Sequence, residues 1–304
     1  MVFLKACAPF DFAHTLRFLS GFRPTAGEQD ITDGVLTKAL RANGHTVLVR
    51  LAQEESGVRC TRHATEEISA ATAEAVADRV SFYLSLDDDL GEFYDLGRAD
   101  PAFAPIIDEL YGYHQVKFTT PLENAVWAVL SQRTLPSVAA SGKRALAAEF
   151  GNELGDGAGG EAGSEAGNEV ECDGRTYVAF PDVEQLASLT PGRIAELVGN
   201  QRKGTQLHGL FQGWLKEDEE FLRHAPYQEV KDFLLGLPGI GAWSSSFVLI
   251  RGLGRTDEVP FEKALIAAAS RVYGRPVNEA GLRRLAEPYG RWAGYWAHYL
   301  RVAG

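Results

Sequence analysis

A short glycine-containing turn between two amphipathic helices constrains this chain more than any other feature. Residues 230–254 read VKDFLLGLPGIGAWSSSFVLIRGLG; their apolar spacing predicts a helix ending near Gly236, a tight turn and a second helix. Gly239 and Gly241 lack a Cβ, so the backbone can turn sharply there and another surface can approach closely. The second helix starts with free N–H groups beside Gly241, where the helix dipole suits a phosphate oxygen. An ordinary packing loop is the alternative interpretation.

The charge of the chain neither requires nor forbids a nucleic-acid partner. The net charge of the 304-residue chain is -11, but residues 199–304 contain 14 Lys and Arg against 11 Asp and Glu. For DNA binding, a local patch of positive charge matters more than the sum. A turn that binds phosphates with backbone amides also needs few lysines. The acidic total is therefore compatible with DNA binding through residues 230–254.

The first part of the chain predicts a small α/β domain. Residues 2–8 form a short apolar run, and Asp11 is placed to cap a following helix. Residues 46–51 and 58–63 are strand-like runs separated by a short polar stretch, which predicts a hairpin. We place this domain at residues 1–88.

The remainder of the chain, residues 89–304, is predicted to be helical, so the fold class is α+β. One stretch stands apart. Residues 151–174 contain 8 glycines and 7 acidic residues among 24 positions. This composition predicts a flexible acidic insertion with no fold of its own, and an acidic tether that mimics DNA is the alternative.

The cysteines and the apolar runs exclude several classes of protein. Cys7, Cys60 and Cys172 are too few for a disulfide scaffold or for a cysteine-only zinc or iron–sulfur cage, which needs about four thiolates. No stretch approaches the ~18 apolar residues of a membrane helix. The N-terminal residues also lack the features of a signal peptide. We therefore expect a cytoplasmic protein with no membrane partner and no iron–sulfur cluster.

Five stretches of the chain match one known set of motifs. PFDFAHTLRFLSGF at residues 9–22, PLENAVWAVLSQRTLPSVA at 121–139 and LPGIGAWSSSFVLIRGLGRTDEVP at 237–260 are the most specific, and residues 180–210 and 292–300 accompany them. Together they resemble the helix-hairpin-helix (HhH-GPD) superfamily of DNA glycosylases, and within it 3-methyladenine DNA glycosylase II. The resemblance implies an N-terminal antiparallel-sheet (TBP-like) domain followed by an all-helical HhH-GPD region.

The resemblance also implies an activity. Such a protein acts in base-excision repair: it flips an alkylated base out of double-stranded DNA and hydrolyses its N-glycosidic bond. It implies a monomer, working in a bacterium at the nucleoid, that requires no cofactor. The family's hairpin holds a monovalent cation through backbone carbonyls. Here a structural Na+ or K+ would lie on the carbonyls of Leu237 and Gly239.

Individual site residues follow from the same resemblance. Two residues of the loop fill the space that the flipped base leaves, and the hairpin binds phosphate. The residues implied to contact DNA are Gly239, Ile240, Gly241, Gln132, Arg133 and Lys203. The aromatic positions of the base pocket, on which an electron-poor base would stack, fall on Phe18, Trp243 and Phe247. Helix capping for Gln132 and core packing for the aromatic rings are the alternatives.

The catalytic position departs from the family pattern. The family places an aspartate after the proline that follows the hairpin, and aligning Pro260 and Leu265 puts Lys263 there. An ammonium beside a cationic sugar repels it, so we expect Lys263 to limit catalysis. Glu262 is adjacent, but successive helix residues point about 100° apart, so it could act only with a local shift of the helix start. Three alternatives follow. The chain is a glycosylase in which Glu262 takes the role of the family's aspartate, a weak or inactive lesion-binding module, or a lyase that uses the Lys263 amine.

Overall fold

An antiparallel sheet forms the N-terminal part of the structure, a computed structural model that describes residues 1–150 and 167–303. Its five strands are β1 (Val2–Lys5), β2 (Gln29–Thr32), β3 (Val35–Ala42), β4 (His45–Glu54) and β5 (Gly57–His63). They lie in the order β1-β5-β4-β3-β2, and the β4–β5 register pairs Leu51 with Cys60. The predicted hairpin is therefore confirmed.

Strands β2 and β3 were not predicted from the sequence. β3 reads VLTKALRA, which does not alternate between apolar and polar residues, yet all but its first residue are buried. Lys38 and Arg41 are buried within it because each is close to a carboxylate, of Glu28 and Asp182 respectively. Ion pairing with carboxylates outside the strands thus replaces the period-two pattern on which a strand prediction depends.

Helices make up most of the remaining structure. Asp11 caps the first of them as predicted, because its carboxylate accepts a hydrogen bond of 2.9 Å from the backbone N–H of Ala13. The helices are α1 (Phe12–Gly21), α2 (Ala70–Leu84), α3 (Gly91–Ala99), α4 (Ala104–Glu109), α5 (Pro121–Ser131), α6 (Pro136–Ala148), α7 (Val183–Ser188), α8 (Pro191–Val198), α9 (Gln201–Trp214), α10 (Glu219–His224), α11 (Tyr227–Gly236), α12 (Ala242–Leu253), α13 (Lys263–Val272), α14 (Glu279–Ala286) and α15 (Ala293–Ala303). Within residues 1–150 and 167–303, no helix combines the length and apolar character needed to span a membrane.

A second antiparallel pair interrupts the helices. Strand β6 (Glu169–Cys172) pairs with β7 (Arg175–Val178). The expectation that residues 151–174 have no fold of their own is therefore wrong for residues 167–174. Residues 151–166, on which the rest of that prediction depends, lie outside the described residues.

The β6–β7 hairpin folds because it packs on the N-terminal sheet. Val170 and Tyr177 are buried against apolar side chains of β3 and β4. Asn168 is fully buried, and its Oδ1 accepts a hydrogen bond of 2.7 Å from Arg41 Nη1. The Nε of Arg41 lies 2.7 Å from Asp182 Oδ2. Acid-rich and glycine-rich sequence is thus ordered by a buried arginine that lies more than a hundred residues earlier.

Two large hydrophobic clusters divide the interior. The first joins the sheet to the segment around α3 and α4 and to helices α13–α15. The second is built on α5, α9, α11 and α12. The first cluster contains residues on both sides of position 88, and the division at that residue stays a prediction. Helices α1, α12 and α15 border a cavity where the two clusters meet.

A buried group of charges ties the sheet to the helical part. Glu123 of α5 and Lys143 of α6 are almost completely inaccessible, and the Nζ of Lys143 lies 2.5 Å from Glu123 Oε1. The same ammonium lies 2.6 Å from Glu28 Oε2. Lys38 of β3 completes the group, 4.0 Å from Glu28. These alternating charges fix α5 and α6 against the sheet.

Candidate active site

The turn between α11 and α12 has the predicted hairpin geometry. Gly239 adopts a φ of +84°, which only glycine reaches without strain. Gly241 is the N-cap of α12, and no side chain caps this helix end. A Cβ placed on Gly241 would meet nothing within 4 Å. The N-terminus of α12 therefore offers uncapped amides beside open space, as phosphate binding requires.

Ile240 does not fit its predicted part in DNA binding. Its side chain is buried in the second hydrophobic cluster. Its N–H donates a hydrogen bond of 3.1 Å to the carbonyl of Leu237. This correction follows from the tightness of the turn, in which the residue between the two glycines must face inward and close the loop.

The carbonyl oxygens of the predicted cation site, on Leu237 and Gly239, each accept one hydrogen bond within the protein. The carbonyl of Leu237 accepts the N–H of Ile240, and the carbonyl of Gly239 accepts the Nε2 of Gln132 at 2.7 Å. Each carbonyl oxygen has two lone pairs, so one remains on each. These oxygens are compatible with Na+ or K+, and the site stays a prediction.

Gln132 contacts the hairpin in this structure. It is the C-cap of α5, and its amide bridges Gly239 to the Oγ of Ser244, at 3.1 Å. The side chain is therefore held against the hairpin, and its insertion into DNA stays a prediction. Arg133, the next residue, is exposed and adopts a φ of +51°.

The side chain of Lys203 turns into the protein in this structure, and its contact with DNA stays a prediction. Its side chain is buried, and its ammonium donates to the carbonyl of Leu130 and to the hydroxyl of Thr134. Burial lowers the pKa of this ammonium. The lysine thus anchors the loop that follows α5 and does not present its charge to solvent.

A cavity of about 370 Å³ opens between α1, α12 and α15. Two of the predicted pocket residues, Phe18 and Phe247, line it. The third, Trp243, stacks on the Phe247 ring, with centroids 5.2 Å apart and an angle of 9° between the planes. Trp243 remains partly exposed. The structure therefore brings the three aromatic rings together at one site, between the hairpin and the cavity.

The cavity wall also contains a buried polar group. Arg251 of α12 is 6% exposed, and its Nη1 lies 3.2 Å from the Nδ1 of His298 on α15. The Nε2 of His298 lies 3.0 Å from the hydroxyl of Tyr113. Burial, with the charge of Arg251, holds the pKa of His298 well below its usual range, so this imidazole is neutral. Burial lowers the pKa of Arg251 to about 10, so the guanidinium stays charged at neutral pH.

Glu262 and Lys263 lie in different environments at the start of α13. The helix begins at Lys263, which leaves Glu262 as the N-cap with extended backbone. The carboxylate of Glu262 forms an ion pair with Arg301, which lines the cavity. The side chain of Lys263 is exposed and has no hydrogen bond or ion pair with any residue that the structure describes. Glu262 thus lies outside the helix, and its catalytic role stays a prediction.

The chain is similar to curated DNA repair proteins, although no family model matches it. It is 25% identical over 297 residues to a protein of Mycobacterium tuberculosis named "Probable bifunctional transcriptional activator/DNA repair enzyme AlkA". That match covers 98% of this chain and 55% of the relative, so the chain spans about half the length of that protein. It is 23% identical over 232 residues to the "DNA-3-methyladenine glycosylase" of Bacillus subtilis, covering 75% of this chain and 71% of the relative.

Solved structures share the fold over almost the whole chain. The 3-methyladenine DNA-glycosylase from Archaeoglobus fulgidus superposes with a TM-score of 0.76 at 21% identity, covering 99% of this chain and 97% of the other. The chain therefore has the fold of this solved glycosylase. The 8-oxoguanine glycosylase/lyase of Clostridium acetobutylicum has the same fold, with a TM-score of 0.70 at 16% identity over 97% of this chain and 93% of that one.

Three residues at this candidate site were not predicted from the sequence. Arg251 is a single charge inside the apolar run FVLIRGLG, and His298 interrupts an aromatic run near the C-terminus. A polar residue at a helix position that should be buried is the signal that could have found both. Leu135 is 71% exposed in the loop after α5, and an exposed large apolar residue beside a binding hairpin marks an interaction surface.

Proposed function

We propose that this chain excises alkylated bases of the 3-methyladenine type from double-stranded DNA as a monofunctional glycosylase. The observation that supports this most is the ion pair between Glu262 and Arg301, since it places a carboxylate beside a residue that lines the aromatic cavity. The names of the Mycobacterium and Bacillus relatives support the same class of activity. The protein would act as a monomer at the bacterial nucleoid. Alkali-labile abasic sites in a duplex with one alkylated base are the direct test.

Glu262 provides the negative charge that the reaction needs. The bond between C1′ and the base nitrogen breaks, its electron pair leaves with the base, and positive charge develops on the sugar. A carboxylate close to that sugar stabilises the charge. A water molecule then forms a bond to C1′, and its proton passes to Glu262 or to solvent. Lys263 is exposed beside this carboxylate and takes no part in the reaction.

The N-terminus of α12 binds the phosphate backbone through its amides. Gly241→Val is the clean test, because the added side chain would occupy open space in the free protein and would block an approaching phosphate. We expect duplex affinity to fall about tenfold for damaged and undamaged DNA alike, since phosphate contacts carry no sequence information. Fluorescence anisotropy with labelled duplexes measures the affinity. Unchanged affinity in a variant of unchanged melting temperature would exclude this binding mode.

Leu135 fills the space that the flipped base leaves. Apolar wedges of this kind insert between base steps in other DNA-bending proteins. We expect Leu135→Ala to lower kcat/KM for base release about tenfold, because insertion of a leucine contributes about 1.5–3 kcal/mol of burial. Val138→Ala is the matched control, since Val138 is also exposed and apolar but lies within the first turn of α6. Equal effects of the two substitutions on base release would contradict the wedge assignment.

A further inference from the structure

Four exposed arginines lie on α13, on α14 and in the turn between them. Residues 271–284, which contain all four, include a single acid, Glu279, although the net charge of the whole chain is -11. Within the described part of the chain, none of these guanidinium groups forms a side-chain hydrogen bond or an ion pair with a carboxylate. We call them the arginine patch, which consists of Arg271, Arg275, Arg283 and Arg284.

Several other exposed arginines of the structure are matched with acids. The guanidinium of Arg193 lies 2.7 Å from the Glu149 carboxylate, and that of Arg291 lies 2.5 Å from the Glu92 carboxylate. In the arginine patch, by contrast, positive charge is concentrated without a nearby carboxylate to offset it. A concentration of one sign of charge attracts a partner of the opposite sign and raises its local concentration. The patch therefore suits an anionic partner.

Two contacts show that α13 and α14 run antiparallel and that the patch begins beside the candidate catalytic residue. At the end of α13, the backbone N–H of Val277 donates a hydrogen bond of 3.0 Å to Ser270 Oγ and folds the turn back onto the helix. At the start of α13, the Cζ of Arg283 lies 3.9 Å from the centroid of the Phe261 ring. Phe261 immediately precedes Glu262. The arginine patch thus extends from the Glu262 loop along the helix pair.

The length and chemistry of the patch suit a DNA strand. From Lys263 to Arg271, α13 rises by about 12 Å at about 1.5 Å per residue. One strand of B-DNA places a phosphate about every 3.4 Å along its axis, so about three or four phosphates fall within that length. A planar guanidinium binds a phosphate through two parallel hydrogen bonds. Four such groups could therefore contact successive phosphates.

We propose that the arginine patch is a second DNA-contact surface, which binds backbone phosphates of the duplex next to the damaged nucleotide. The proposal rests on the proposed function, because a duplex whose damaged nucleotide lies at Glu262 brings its neighbouring phosphates to α13 and α14. The uncapped amides at the start of α12 bind one part of the backbone, and the patch binds another. The patch supplies local positive charge that the acidic total conceals.

The salt dependence of binding to an undamaged duplex tests the patch without any base excision. Each phosphate contact contributes about 0.9 to the slope of log affinity against log salt concentration. We expect replacement of all four arginines by glutamine to lower the magnitude of that slope by about three. The affinity in about 0.1 M salt should fall at least about tenfold. Fluorescence anisotropy with a labelled duplex of about 20 base pairs, over a range of salt concentrations, measures both quantities.

A second fourfold variant is the matched control, since it changes the net charge equally on a different surface. Its cations are exposed on the N-terminal sheet and on the β6–β7 hairpin, and its substitutions are Lys5→Gln, Arg50→Gln, Arg59→Gln and Arg175→Gln. We expect the slope to stay within about one of the wild-type value, because only cations that contact phosphates release counterions. Thermal unfolding checks that both variants are folded.

Two results overturn the proposal. An unchanged slope in the patch variant does so and leaves the arginines available to an acidic protein instead. Equal losses of slope in the two fourfold variants also do so, because the effect would then follow net charge alone. If the patch variant fails to fold, the double variant Arg271→Gln with Arg284→Gln keeps the ring contact of Arg283 intact. Its slope should fall by about one to two, and an unchanged slope overturns the proposal as well.

Base release from a damaged duplex tests the proposed function separately. A lowered slope in the patch variant, with no base release by the wild-type protein, refutes the glycosylase activity and leaves the DNA-contact surface standing. Base release by the wild-type protein, with an unchanged slope in the patch variant, refutes the contact surface and leaves the activity standing.

Discussion

Glu262→Gln is expected to lower the rate of base excision by about 10²–10³-fold, the usual effect of removing one electrostatic stabiliser of a transition state. The amide keeps the size of the side chain but cannot offset positive charge on the sugar. Duplex affinity should change little, because the hairpin amides and the loop after α5 are untouched. Single-turnover release of an alkylated base, followed as alkali-labile sites, measures the rate.

Two variants show whether the effect belongs to this carboxylate. Glu258→Gln removes another carboxylate of the same loop, one that is paired with Lys231 at 2.7 Å, and should leave excision within about twofold of wild type, as for a surface pair. Lys263→Gln should do the same, because the Lys263 side chain is exposed and unpaired in the described structure. Loss of activity in Lys263→Gln but not in Glu262→Gln would transfer the chemistry to the lysine.

Glu123→Gln is expected to destabilise the fold by about 3–5 kcal/mol, since removing one partner leaves buried charge uncompensated. The Lys143 and Lys38 ammoniums would then share the Glu28 carboxylate alone. Urea unfolding should show a lower midpoint at an unchanged slope. Glu149→Gln is the matched control, because its partner Arg193 is half-exposed and such pairs contribute under about 1 kcal/mol. Equal destabilisation by both substitutions would contradict a special role for the buried group.

The same carboxylate gives a pH dependence of stability. Burial tends to raise the pKa of Glu123, but the Lys143 and Lys38 charges overcome that effect and hold it at about 2. A carboxyl whose folded pKa lies below its unfolded value stabilises the protein above the unfolded pKa of about 4.3, and this stabilisation is lost as the pH falls towards 2. The free energy of unfolding, measured with urea between pH 5 and pH 2.5, should therefore fall less steeply in Glu123→Gln than in wild type.

Local signals in the sequence were sufficient for the hairpin and for the first helix. LPGIG specifies its turn through backbone requirements at Gly239, and Asp11 caps α1 through a contact two residues away. Local signals did not predict strand β3 or the β6–β7 hairpin, because both depend on ion pairs and hydrogen bonds with other parts of the chain. Strand β3 contains two buried charged residues, of which Lys38 lies near Glu28 and Arg41 pairs with the distant Asp182. The hairpin after position 166 is ordered by Arg41.

The spacing of residues in the sequence could not assign the catalytic position. The assignment depends on whether helix α13 begins one residue earlier or later. Counting from Pro260 and Leu265 assigns Lys263, whereas α13 begins at Lys263 and leaves Glu262 outside the helix. Side-chain direction changes by about 100° between these neighbours, so a small difference in helix start exchanges a cation for an anion at the site. Lys203 shows the same limit, since only tertiary structure turns its ammonium inward.

Base release from a defined duplex tests the central claim most directly. The substrate contains one cationic N3- or N7-alkylated purine, and cleavage is followed with and without alkali and with borohydride present. We predict abasic sites that break only in alkali, no protein–DNA adduct after borohydride, and loss of the signal in Glu262→Gln. Tight binding without abasic sites would show a lesion-binding module. A borohydride-trapped adduct that disappears in Lys263→Gln would show a lyase and contradict the account.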